Sequence, residues 1–541
     1  MLSGHEARAY DIERFAGLGL SALRYPMLWE AFAAADDAPR LWAWHDERLA
    51  RLRTLGIEPI VGLIHHGSGP PTTDLLAPGF AEGLAGHAAA VAGRYPWIRD
   101  WTPVNEPLTT ARFAALYGHW YPHARDEQAF WLALINQVDA IRRAMTEIRK
   151  ANPAARLIQT EDIGRTDATP QLQPQAEFDN LRRWGSWDLL TGRVGEQHAL
   201  WERLTGMGFA QQLEQLVERP CPPDVLGLNH YLTSDRFLDH RLDLYGAERR
   251  GHCPLGPLAD VETVRVLGSS PGLEGALRES WGRYGLPMAI TEVHNGCTRE
   301  EQMRWLDEAW KAAILLRGEG LPIEAITAWS LLGAHDWDSL LTRDAGHYES
   351  GVFDIRGPAP RETALAPMMR TLAAGEAFDH PVLANAGWWR GHSRLAPAGE
   401  SSGREPKPRG RPLLIAGATG TLGQAFAGAC RLRGIDHILT GRDLMDVCEP
   451  RSVASVLDDL DPWAVVNCAG WVRVDEAERH PAACLAVNHG ASVALARACA
   501  ARAIHYTAFS SDLVFVKRRS KGTPDRRRRG TPFSDNMMLV C

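Results

Sequence analysis

Two carboxylates stand where the pattern of residues could support bond cleavage. Glu106 lies in Thr102-Pro103-Val104-Asn105-Glu106-Pro107, and Glu292 in Ile290-Thr291-Glu292-Val293-His294-Asn295-Gly296. Each follows a short apolar run of the kind that forms a buried parallel strand, so each sits at a strand's C-terminal end. In a β/α barrel that end is the reactive face. Two carboxylates across such a mouth can break a glycosidic bond: one protonates the leaving oxygen while the other attacks or activates water. A lone Asn-Glu-Pro also ends strands and starts turns, so the case rests on the elements around the pair.

Those elements alternate. Residues 1–390 give candidate strands at Ala22–Tyr25, Pro59–Ile64, Trp101–Val104, Arg156–Thr160, Val225–Asn229, Met288–Thr291 and Ile326–Ser330, with helices such as Ala129–Ala151 and Glu300–Arg317 between them. This order predicts an α/β fold, a parallel (β/α)8 barrel of the TIM type. The strands number seven where closure wants eight. None precedes Leu20, where the chain opens on a helix-like stretch, Glu6–Leu18, so the first strand is expected to be missing.

A Pro-, Gly- and Ser-rich linker is expected within 391–411, densest over 395–410. A second α/β pattern spans 412–515, with strands at Leu413–Ala416 and Ala464–Cys468 and a helix at Ala491–Ala501. The segment 516–541 differs. It carries eight Lys or Arg against two Asp and has no apolar period. It reads either as a basic tail or as frame-shifted, disordered sequence, and the second reading is preferred.

The composition is ordinary for globular protein. With 541 residues, 45% hydrophobic and 23% charged, the chain is long enough for at least two domains. A formal charge of −7 argues against nucleic acid as the main partner. Nine cysteines fall singly, without zinc or disulfide spacing, which suits reduced thiols in a cytoplasm. No signal-peptide pattern and no membrane-length apolar run is seen, so a protein without membrane association is expected.

Around Glu106 and Glu292 the sequence resembles glycoside hydrolase family 1, the β-glucosidase family of retaining (β/α)8 barrels. Its Thr-x-Asn-Glu-Pro and Thr-Glu-Asn-Gly motifs match here with one and two residues inserted. Further matches follow in order: Arg24 in Leu23-Arg24-Tyr25-Pro26, His65, Asn229-His230-Tyr231, Trp329-Ser330-Leu331 and Asp336-Trp337. The resemblance implies Glu106 as acid/base and Glu292 as nucleophile. Arg24 and Tyr231 would keep the nucleophile ionised, and Asn105 would grip the sugar 2-hydroxyl. His65, Asn229, Trp329, Asp336 and Trp337 would line or support the pocket of a small β-glycoside or oligosaccharide. No metal or organic cofactor is implied for this reaction.

The departures concern the sugar more than the chemistry. The family's first strand and its glutamine have no counterpart. Its Glu before the last Trp is Asp336, and the Trp after its His is His66. Substrate identity is therefore not carried over.

The second segment has Gly417-x-x-Gly420-x-x-Gly423 between a strand and a helix, a dinucleotide-binding signature. With Asn467-Cys468-Ala469-Gly470, Asn488 and Ser510-Ser511-Asp512, it resembles the dTDP-4-dehydrorhamnose reductase branch of the extended short-chain dehydrogenases. The resemblance implies an NAD(P) site on an incomplete Rossmann-like domain, with Arg442 near a 2′-phosphate and Ser511 as the catalytic Ser/Thr. No Tyr-x-x-x-Lys pair follows Phe515, so the proton donor is lacking and a vestigial, weak nucleotide binder is expected. The rival expectations are an NADP-dependent sugar-nucleotide reductase, or a carbohydrate-binding barrel without activity.

Overall fold

The structure is a computed structural model that describes residues 3–34, 38–391, 411–432, 435–471, 474–509 and 537–540. The linker at 392–410, Ser511 and the basic tail through 536 lie outside the described residues. By its internal contacts the chain divides into two units, residues 1–240 with 249–394 and residues 241–248 with 395–541.

The first unit is a curled, wholly parallel sheet of seven strands in sequence order. They are β1 Ala22–Pro26, β2 Glu58–His65, β3 Asp100–Asn105, β4 Arg156–Asp162, β5 Val225–Asn229, β6 Met288–Val293 and β7 Ile323–Ala328. Strand register sets the site directly: His65 pairs with Asn105, Asp162 with Asn229, and Asn229 with Glu292. Successive strand ends therefore meet at one level of one face.

The central strands show why they form. Every residue of β5 and β6 is buried, as expected for parallel strands covered on both sides. The helices outside carry matching apolar stripes. Ala38–Thr54 buries His45, Arg48, Leu49 and Leu52, an i, i+3, i+4, i+7 face. Glu127–Ala151 is capped by Asp126, whose side chain accepts the Ala129 N–H at 2.8 Å, and it ends at Asn152, before Pro153. Trp101, Trp131 and Trp187 are fully buried in the same core.

The seventh strand begins earlier than its apolar residues suggest, at Ile323 rather than Ile326, because Glu324 and Ala325 are both exposed and break the apolar run. The helix-like opening is two short pieces, His5–Ala7 and Asp11–Ala16. A four-stranded sheet built from Thr166–Ala168, Arg236–Asp239, Arg250–Cys253 and Gly256–Glu262 has no counterpart in the sequence reading; its strands are short and most lack alternation.

Among the described residues no eighth strand pairs with β1 or β7. These outer strands are correspondingly open: Tyr25 is the one buried residue of β1, and Ile323 the one buried residue of β7. Between them lies an open slot of about 360 Å³ lined by Leu23, Ile326, Trp310, Met369 and Leu372.

The second unit is a five-stranded parallel sheet. Its strands are β8 Leu413–Ala416, β9 His437–Thr440, β10 Ala464–Asn467, β11 His505–Phe509 and β12 Met537–Val540, in the order β9-β8-β10-β11-β12. This is a Rossmann-like arrangement. The edge strand β12 falls inside the segment expected to be disordered. Among the described residues, no helix of either unit is long and apolar enough to cross a membrane.

Leu226 is wholly buried in β5. Leu226→Ala is expected to cost the barrel unit about 2–5 kcal/mol, read as a lower urea midpoint for the barrel's transition, with the second unit's transition unmoved.

Candidate functional site

β6 ends on Thr291, Glu292 and Val293, and β3 on Asn105 with Glu106 just beyond it. Both glutamates are buried, Glu292 at 3% and Glu106 at 4% exposure, so their charges must be met by protein groups. Glu292 is well met. The Arg24 guanidinium on β1 donates from Nη1 to Glu292 Oε1 at 2.6 Å and to the Thr291 carbonyl at 3.3 Å. The Tyr231 hydroxyl donates to Glu292 Oε2. The Glu292 carboxylate thus has a cation on one oxygen and a hydroxyl on the other, both charge-assisted bonds. Burial first, then the Glu292 and Glu106 charges, pushes the Tyr231 phenol well up, so Tyr231 remains a donor.

Glu106 is treated differently. Among the described residues no Arg or Lys bonds its carboxyl; Asn229 Nδ2 donates to Oε1 at 2.5 Å, and His66 Nε2 lies 3.6 Å from Oε2. Burial first, then the charges of Glu292, Asp162 and Glu161, holds its carboxyl well above the usual range against the opposing Asn229 bond. His66 offers no proton near neutral pH. Burial and the neighbouring His65 push its imidazole down to about 3, with the Glu292 charge opposing. The two glutamates thus sit in opposite settings, one bonded by a cation and the other by an amide.

Asparagine and threonine side chains tie the two together. Arg24 Nη2 donates to Asn105 Oδ1 at 2.5 Å, and the Thr160 hydroxyl donates to the same oxygen at 2.9 Å. Thr291 Oγ1 donates to Asn229 Oδ1 at 2.6 Å, which leaves the Asn229 amide pointing at Glu106. Gly227 lies between these threonines. A Cβ there would come within 2.8 Å of the Thr160 methyl and 2.9 Å of Thr291 Oγ1, so the close approach requires glycine.

Aromatic rings border the pair. His66 lies 5.1 Å from the Trp120 ring and stacks on Trp337 at 5.8 Å, while Trp329 lies 6.0 Å from Trp337 and 4.7 Å from His294. His65 remains accessible from the cleft although protein surrounds it; that crowding and the Arg24 charge push its imidazole down to about 3. Three residues here, His66, Glu106 and Asp336, have left-handed backbone, with φ of 58°, 44° and 53°. Such conformations in non-glycine residues persist where the surroundings enforce them.

The structure brings together Arg24, His65, Asn105, Glu106, Asn229, Tyr231 and Glu292, with Trp329 and Trp337 alongside. Asp336 is otherwise engaged. Its two oxygens accept the N–H groups of His347 at 2.8 Å and Gly346 at 3.1 Å, so it ties down a loop beside Trp337. Burial pushes its carboxyl up, but these amides outweigh it and the net shift is downward. Trp120 and Thr160 escape the sequence reading. Trp120 comes from a loop without periodicity, and Thr160 belongs to a strand whose register only the fold defines. Among the described residues no His, Cys, Asp and Glu cluster could hold a metal ion.

In the second unit Gly417 has φ 106°, a backbone state open to glycine alone, and a Cβ on Gly423 would strike the Gly417 carbonyl. Gly420 sits in the same turn, which leads into the helix Thr421–Leu432. Arg442 is exposed just after β9.

Comparison with known proteins separates the units. The RmlD substrate binding domain family matches residues 411–525. A dTDP-4-dehydrorhamnose reductase of Streptomyces griseus is 39% identical over 110 residues, 20% of this chain and 36% of that protein. A dTDP-4-keto-6-deoxy-D-glucose reductase of Streptomyces niveus is 39% identical over 105 residues, 19% of this chain and 35% of the relative. The chain thus spans about a third of the length of the curated relatives it matches. In three dimensions it resembles a family 1 β-glucosidase of Thermotoga maritima, with TM-score 0.57 and 17% identity, over 70% of this chain and 88% of the other. The same enzyme in complex with noeuromycin gives the same values. At that identity the likeness is one of fold.

Arg24→Met strands the buried Glu292 carboxylate without its cation and is expected to destabilise the barrel by about 3–5 kcal/mol, measured by chemical unfolding. Arg24→Lys restores charge without the two-pronged geometry and should recover part of that loss.

Proposed function

We propose that the barrel unit is a retaining β-glycosidase of β-glucosidase-like chemistry, with Glu106 as acid/base and Glu292 as nucleophile. The supporting observation is the opposite setting of two buried glutamates: Arg24 and Tyr231 on Glu292, an amide and neighbouring carboxylates around Glu106. In the first step Glu292 attacks the anomeric carbon while Glu106 protonates the departing oxygen. The bond to the leaving group breaks and a glycosyl ester forms on Glu292. Loss of the Glu292 charge removes one cause of the raised Glu106 pKa, so Glu106 can then take a proton from water. That water opens the ester and regenerates both groups.

Asn105 and His65 are proposed to meet sugar hydroxyls, and Trp329 and Trp337 to offer apolar faces to the ring. Asp336 is proposed to support that wall rather than to contact sugar, since both its oxygens hold the loop at 346–347. The substrate is a small β-glycoside or oligosaccharide, cut in a cytoplasmic setting and without a metal or organic cofactor.

The second unit supports a narrower reading. Its glycine turn suits a dinucleotide: Gly417, Gly420 and Gly423 would admit the pyrophosphate, and Arg442 would meet a 2′-phosphate. NAD(P), when bound, supplies hydride chemistry. Its relatives are named as sugar-nucleotide reductases. We read this unit as an NAD(P) binder, with a working NADP-dependent reductase as the alternative.

Nitrophenyl β-glycosides of several sugars test the proposal. The full-length protein is expected to hydrolyse at least one with net retention by NMR, and Glu292→Gln to abolish turnover. Glu106→Gln should cost about 10²–10⁴-fold on glycosides with poor leaving groups. Because the raised pKa keeps Glu106 protonated, activity should persist above the usual carboxylate range and fall on the alkaline side as that proton is lost. Inversion of configuration, or full activity in Glu292→Gln, would refute the assignment.

A further inference from the structure

Glu161 is wholly buried at the end of β4, and nothing in the mechanism above employs it. Its carboxylate is nevertheless elaborately satisfied. Oε2 accepts the Leu108 N–H at 2.9 Å and the Ser186 hydroxyl at 2.5 Å. Oε1 accepts the Thr109 N–H at 3.3 Å and faces the Thr109 hydroxyl at 3.4 Å.

Leu108 and Thr109 carry the first amides of the helix Pro107–Ala111, which starts immediately after Glu106. A helix leaves its leading N–H groups unpaired, and the local side chain normally caps them. Here the residue in the cap position is Glu106 itself, and its side chain makes no cap bond. Its carboxyl is turned instead toward Asn229, on a backbone at φ 44°, ψ 63°. The capping duty has passed to a carboxylate from the adjacent strand, and that transfer leaves the Glu106 side chain free.

We propose that Glu161 is a positioning residue that clamps the turn after β3 from outside and thereby aims the Glu106 carboxyl. The inference rests on reading Glu106 as the acid/base. Ser186 shares the duty by fixing one Glu161 oxygen from the helix Gly185–Leu190. Burial pushes the Glu161 carboxyl up to about 7, against the bonds it accepts and the Arg112 charge. The charged groups facing Glu106 are Glu292, Asp162 and Glu161, with the Arg112 cation nearby and neutral His66 beside it. Glu161 therefore contributes negative charge on the alkaline side of neutrality.

The test is Glu161→Gln in the full-length protein, with two readouts. The substituted side chain keeps the size but offers one acceptor oxygen in place of two. A crystal structure should show residue 106 displaced from its left-handed backbone or its carboxyl off Asn229. With the glycoside that the wild type hydrolyses, kcat should fall about 10²-fold, as misaimed catalytic groups do, with KM nearly unchanged. The alkaline limb of the pH profile should move to lower pH, because removal of a facing negative charge lets Glu106 release its proton more readily. Ser186→Ala, which removes one bond to the same carboxylate, should shift both readouts the same way by less, and serves if Glu161→Gln fails to fold. An unmoved residue 106 with an unchanged pH profile, alongside lowered stability alone, would make Glu161 a structural cap and overturn the proposal. If the wild type hydrolyses no glycoside, the glycosidase reading falls, while the crystallographic readout still decides whether Glu161 sets the conformation of residue 106.

Discussion

The Arg24 guanidinium is the interaction on which the rest of the site depends. Two buried carboxylates in one cleft cannot both ionise cheaply, since each raises the cost of charging the other. Arg24 resolves this by choosing. It bonds Glu292 and, with its other nitrogen, Asn105, the residue before Glu106. Glu292 receives the cation, and after burial its charge is a cause of the raised Glu106 pKa. The threonine and asparagine bonds beneath extend that choice into geometry, and Gly227 gives them the closeness they need. Charge assignment and backbone packing are thus one construction.

Much of this is readable from residue order. Parallel strands buried on both faces show as apolar runs, and β5 is located to the residue because Val225-Leu226-Gly227-Leu228 is continuous. Chemistry at strand ends is readable because Arg24, Asn105, Asn229 and Glu292 each follow such a run. Three things are not. The start of β7 is hidden because, near an open edge, outward positions tolerate Glu324 and the apolar signal weakens. Asp336 reads as a residue of the sugar pocket, but its bonds to the Gly346 and His347 amides, ten and eleven residues on, leave no mark in the sequence. Glu161 carries no local signal, since its partners at 108, 109 and 186 are distant in sequence.

The second unit is legible at its turn and less so at its end. Gly417 and Gly423 announce a backbone that admits no side chain, and Gly417 at φ 106° and the Gly417 carbonyl against Gly423 bear this out. The four residues of β12 pair with β11 by main-chain register, Tyr506 with Met537 through Phe509 with Val540. Main-chain pairing asks little of side-chain pattern, and a Met-Met-Leu-Val run inside a basic, aperiodic stretch is too short to mark a strand.

The slot between β1 and β7 alters how the barrel coheres. A closed sheet holds each strand by two hydrogen-bonded ladders, whereas β1 has one, to β2. Its second attachment is Arg24, which reaches the carbonyl of Thr291 and the carboxylate of Glu292 on β6. The Arg24–Glu292 ion pair is therefore also a strut across the barrel, tying β1 to β6 beside its ladder to β2.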